Sequence, residues 1–194
     1  MVPAPRVAAS SVLVAVLTVG ASTTVLLPAD FDELARTATA VAYGRVVDVR
    51  GRTASDTRRI ERQVTLEVFD YLKGDLGRTV TLSVPGGQVG PYRTVVPGAP
   101  EFTEGEEVVL FLRTNPPASP CIVGLSQGVF RVVPDTRSGE RFVVSPVVVR
   151  SGSSRGTVAV ERGDTARVPL RLQAFAAEVQ RALTVPPRVP RRER

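Results

Sequence analysis

The chain has 194 residues, enough for one domain with a real core, and 43% of them are hydrophobic, which excludes broad disorder. It contains no histidine, one cysteine and no tryptophan. Ser-His-Asp and Cys-His catalysis and the HExxH zinc site are therefore excluded, although carboxylates alone remain able to hold Ca²⁺ or Mg²⁺. The formal charge is +6; Arg6 supplies +1 and the last ten residues +3, which leaves +2 for residues 22–184.

The basicity thus belongs largely to the ends. Arginine outnumbers lysine 24 to 1, which reads as genome composition and a solvated surface rather than as a nucleic-acid interface. Residues 1–21 place one arginine before an apolar run from Val7 to about Val19, followed by small residues. This is the pattern of a secretory signal peptide, with Val19-Gly20-Ala21 as a V-x-A cleavage site and a mature start near Ser22. The expected location is secreted, periplasmic or cell envelope. The run is short for a membrane span, so membrane contact is expected only through an uncleaved leader. Cys121, the lone thiol, has no disulfide partner in the chain and is expected as a small buried hydrophobe.

Residues 28–38, PADFDELARTA, predict a short helix capped by Asp30, with Glu33 three residues on and Phe31, Leu34, Ala35 and Ala38 on one face. Capping and the helix dipole account for its acidic first turn. Next, AVAYGRVVDVRG (40–51) predicts a half-buried strand in which Val47 and Val49 alternate with Asp48 and Arg50. A polar linker leads to QVTLEVFDYL (63–72), where Val64, Leu66 and Val68 alternate with polar residues. KGDLG (73–77) is a turn, and RTVTLSV (78–84) repeats the alternation. After the Glu104-Gly105 turn, Val108–Leu112 is continuously apolar, as in a central strand buried on both faces. NPPASP reads as a loop, and CIVGLSQGVFRVV (121–133) as one bent or paired strand with bulges at Gly124 and Gly128. PDTRSGER is a hairpin turn before a strand at 142–150, and a short strand follows at 157–160. VPLRLQAFAAEVQRAL (168–183) predicts a helix with Leu172, Phe175, Ala176, Val179 and Leu183 on one side, before a disordered basic tail at 185–194.

The segment VPGGQVGPYRTVVPGAPEF (84–102) is the richest in glycine and proline. It lacks the lysine of a Walker loop, and its glycines at 86, 87 and 90 miss the G-x-G-x-x-G spacing. Gly86-Gly87 reads as a chain reversal, and the loop as a rim surface on which a partner can approach the backbone. Gln88, Tyr92 and Arg93 are its candidate contacting residues. The acidic group Glu101, Glu104, Glu106 and Glu107 lacks EF-hand spacing and reads as an exposed turn. Tyr43, Phe69, Tyr71, Phe111 and Phe130 read mostly as core, not as a stacking platform for nucleic acid. No catalytic set, metal site or cofactor is assigned.

The fold class expected is mainly β (α+β): a compact, OB-like antiparallel β-barrel over residues 22–184, with a short N-terminal helix and a C-terminal helix. The order AVAYGRVVDVR, VTLEVFDYLKGDLG, VTLSVPGGQVG, VPGAPEFTEGEEVVLFL and GLSQGVFRV resembles a group of uncharacterised exported bacterial β-rich proteins over roughly residues 28–150. More distantly, Lys73-Gly74 and Phe102-Thr103-Glu104-Gly105-Glu106 resemble the OB-fold of netrin-like and tissue-inhibitor-of-metalloproteinase domains. That likeness implies a fold. Those inhibitors use an N-terminal cysteine, which this sequence does not place near Ser22, so no inhibitory residue carries over. The resulting functional expectation is a secreted, non-enzymatic module that binds another protein, a secreted protease being one partner in that class. Two alternatives stand beside it: a hydrolase or lyase using Glu101, Glu104 or Glu106, and a structural cell-envelope protein held by its basic tail.

Overall fold

The computed structural model describes residues 30–54, 59–116, 118–151, 158–162 and 168–184. The expected leader, the expected start near Ser22 and the expected basic tail at 185–194 lie outside them. The described chain opens with helix α1 (Phe31–Thr37), whose first turn is capped by the Asp30 carboxylate accepting from the Asp32 N–H. Strands β1 (Ala40–Thr53), β2 (Ile60–Lys73) and β3 (Thr79–Pro85) form an antiparallel meander. A small hairpin follows, β4 (Gly87–Val89) and β5 (Tyr92–Thr94). The long β6 (Glu107–Asn115) pairs with β1 on one side. On its other side it pairs with β7 (Ala118–Ile122) along one half and β8 (Val129–Pro134) along the other. Then come β9 (Arg141–Val144), the hairpin β10 (Val147–Ser151) with β11 (Val158–Arg162), β12 (Leu170–Arg171) and helix α2 (Leu172–Thr184).

The main sheet runs β12-β9-β8-β6-β1-β2-β3, with β7 branching from β6. The mainly β, antiparallel expectation holds, but the sheet is not closed into a barrel. β7 lies beside β3 without a hydrogen-bonded ladder. It is five residues long and contains Pro120, which has no N–H to donate to such a ladder.

β6 is central and buried on both faces, as its continuous apolar run requires. Val108 through Leu112 are all 0% exposed. Val108, Leu110 and Leu112 join Val64, Leu66, Leu82 and Val84 in a largely aliphatic core inside the curl of the sheet. Val109 and Phe111 face the other way, under α1 and α2. There Phe31, Phe111, Phe130 and Phe175 meet mostly edge-on, with ring centroids 5.0–6.4 Å apart. Lys73, the single lysine, ends β2 by donating from Nζ to the carbonyls of Ala35 (2.8 Å), Arg36 (3.1 Å) and Ala38 (2.5 Å). It thereby satisfies the carbonyl end of α1, where the dipole favours a cation. Burial lowers its pKa.

Four strand or helix expectations change. β1 carries a bulge between Val46 and Asp48, so Val47 points out, 44% exposed, instead of alternating inward. The supposed single strand at 121–133, and the loop before it, become β7, a 3-10 turn (Leu125–Gly128) and β8. Gly124 (φ 69°) and Leu125 (φ 55°) are left-handed there and end the extended run. The strand at 142–150 breaks at Ser145-Pro146 into β9 and β10, which belong to different sheets. The C-terminal helix begins at Leu172, because Leu170 and Arg171 pair with β9 instead.

Candidate functional site

The glycine-rich segment after β3 is held against the meander at several points. Gly86 (φ 83°) and Gly87 (φ 137°) turn the chain, and the Gly86 N–H donates to the Ile60 carbonyl at 3.1 Å. β4 crosses the far end of the β1–β2 pair so closely that a Cβ on Gly51 would collide with the Gln88 carbonyl oxygen. Further on, the Pro100 carbonyl accepts from Arg62 Nη2 (2.8 Å) and the Gly98 carbonyl from the Ser126 N–H (3.0 Å). The segment is thus an anchored flap rather than a loose loop.

Between this flap and the ends of β1, β2 and β3 lies a cleft of about 860 Å³. Ala54, Ile60, Val89 and Val96 supply apolar lining, and Arg59, Tyr92 and Arg93 also line the cleft. Of the three residues expected from the sequence, Tyr92 and Arg93 line the cleft. Gln88 is Arg93's cross-strand partner but turns its Nε2 back to the Gly90 carbonyl at 3.1 Å and is not part of the lining. Tyr92 and Val95 are each 72% exposed. Reading one loop at a time misses Arg59, Ile60 and Ala54, which reach the cleft only because the β1–β2 ends fold beneath the flap. One local signal existed: Gly51 sits inside a strand, and a strand glycine often marks close approach of another backbone.

The acidic residues do not converge on this cleft. Glu104 Oε1 accepts from the Val49 N–H at 3.4 Å. Glu106 accepts from the Thr103 N–H (3.1 Å) and from Arg131 Nε (3.3 Å). The Glu101 backbone carbonyl accepts from Arg131 Nη2 at 2.8 Å. Glu107 is the centre of a different network. It accepts from the Tyr43 hydroxyl (2.6 Å), Arg141 Nε (2.8 Å) and Arg45 Nη2 (3.3 Å). Burial alone would push its carboxyl up, but the Arg141, Tyr43 and Arg45 hydrogen bonds outweigh that and hold it below the ordinary carboxylate value. Burial and the Glu107 carboxylate together push the Tyr43 hydroxyl up to about 12.

Among the described residues, no group of three or more Asp, Glu, Cys or His side chains is placed to hold a metal ion. Cys121 is half-buried rather than buried, with Sγ 3.6 Å from the Arg113 carbonyl oxygen. Of the aromatics expected in the core, Tyr43, Phe111 and Phe130 are buried. Tyr71 is half-buried. Phe69 is exposed, under the Arg45 guanidinium at 5.2 Å.

No family model, curated protein or solved structure matches the chain. The functional reading therefore rests on the residues and the geometry.

Proposed function

We propose that the protein is an exported, non-enzymatic binding module that engages another protein through the cleft between the β4–β5 flap and the ends of the β1–β2–β3 meander. One observation carries this reading: an apolar-lined cleft of about 860 Å³ bordered by an exposed aromatic, Tyr92, on a backbone-anchored hairpin. A rigid aromatic beside an apolar patch within a polar rim is the composition protein interfaces favour. Export is supported by the leader pattern of residues 1–21. The antiparallel meander with β6 paired to β1 is what supports an OB-like description.

The test is site-specific photo-crosslinking in the exporting cell, with a benzophenone amino acid at Tyr92 and, as a control, at the exposed Arg137. A discrete cross-linked protein from position 92 that is missing from position 137 is expected. The same products from both positions, or none from position 92, would overturn the reading.

A further inference from the structure

The cleft has a charge pattern as well as a shape. Elsewhere among the described residues several arginines meet carboxylates, although Arg78, Arg113 and Arg137 do not. Arg45 and Arg141 meet Glu107, Arg52 meets Glu61, and Arg131 meets Glu106. Arg59 and Arg93, both exposed, have no carboxylate partner among the described residues. The one acid among the described lining residues, Glu61, is already engaged, by Arg52 at 2.5 Å and by the Ser83 hydroxyl at 2.5 Å. Among the described residues, the cleft lining therefore holds two arginines without a carboxylate partner and no uncompensated carboxylate.

We propose that the occupant is an extended, acidic peptide segment of the partner protein. Its carboxylates meet Arg59 and Arg93, and its apolar side chains lie on Ile60, Val89 and Val96. This rests on the protein-binding reading above. Guanidinium forks match carboxylates bidentately, so paired arginines select acids by geometry as well as by charge. The apolar lining separates a peptide from a simple polyanion, which has no side chains to bury there. The extended form follows from the walls: β5 pairs only with β4 among the described residues, so its outer edge is open to an added strand.

The experiment selects a displayed library of random linear peptides on the full chain. It then measures individual labelled peptides against the wild type, R59E/R93E and Y92A/V96S in low and high salt. The expected peptides alternate acidic and apolar residues. Their affinity falls at least about tenfold in R59E/R93E and weakens with salt, while the melting temperature of that variant is unchanged. Peptides that lose binding in Y92A/V96S but are not acidic, or ignore the charge reversal, would overturn the acidic specificity and leave the cleft reading standing. Failure to select any peptide that depends on Tyr92 and Val96 would overturn both. Inorganic polyphosphate competing as well as the selected peptides would reassign the site to anionic polymers and overturn the proposal.

Discussion

The helix-covered face of the sheet and the flap at the end of the β1–β2 pair use aromatic residues in opposite ways. Under α1 and α2, four phenylalanines are buried against one another and against β6. On the flap, Tyr92 is left mostly in water beside a cleft. Both regions are anchored, the first by side-chain packing and the second by hydrogen bonds from its backbone to the Ile60 carbonyl, the Ser126 N–H and the Arg62 guanidinium. Apolar surface that packing covers contributes to stability. Apolar surface that a rigid backbone holds exposed is available to a partner, and leaving it exposed costs little while hydrogen bonds keep the flap in place.

The largest expected effect lies on the packed side. Phe111→Ala removes a ring that is 0% exposed and should cost about 3–5 kcal/mol in chemical denaturation, from lost burial plus the cavity left behind. A loss below 1 kcal/mol would mean that the helices collapse onto the gap and that the face is more adaptable than its edge-on ring contacts imply. Next is the seam between the regions. Gly51→Val forces a side chain into the Gln88 carbonyl and should cost about 1–3 kcal/mol. It should also release the flap, detectable as faster tryptic cleavage after Arg93 while the core stays folded. Unchanged cleavage would show that the flap does not depend on this close approach.

A smaller, pH-dependent effect belongs to Glu107 and Tyr43. The folded-state carboxyl of Glu107 is held below its ordinary 4.5, so its contribution is present above that value and is lost as pH falls through the lowered one. The Tyr43 hydroxyl is raised from 10.0 to about 12, so its contribution is present below 10 and is lost as pH rises through that window. Glu107→Gln should therefore remove the acid limb of the stability profile and weaken the alkaline one, which burial of Tyr43 also sustains, and a wild-type-like acid limb in that variant would place that titration elsewhere. The smallest expected effect on stability sharpens the contrast with Phe111: Tyr92→Ala should stay within about 0.5 kcal/mol of the wild type, because the ring has little packing to lose.

Much of the scaffold was legible residue by residue. The Asp30 cap, the Val80-Leu82-Val84 alternation and the unbroken Val108–Leu112 run each depend on neighbours a few positions away, and each appears where its pattern places it. The site was only half legible. Tyr92 and Arg93 can be chosen from one glycine-rich stretch, but Arg59 and Ile60 come from the end of the distant β1–β2 hairpin, where polar composition alone predicts a linker. Val47 shows the same limit in miniature, since a bulge is set by the pairing with β2 and not by the alternation of β1 itself.

By itself, the sequence determined the strand-rich class, the two terminal helices and the doubly buried central strand, because hydrophobic periodicity is a local consequence of backbone geometry. Only the tertiary structure decided that the sheet stays open, that β9 and β10 part at Ser145-Pro146, and that the 85–100 segment closes over the β1–β2 ends to make a basic, apolar-lined cleft. Those outcomes depend on which strand edges and ends meet in space, and residues far apart in the chain fix that through shared ladders and packing.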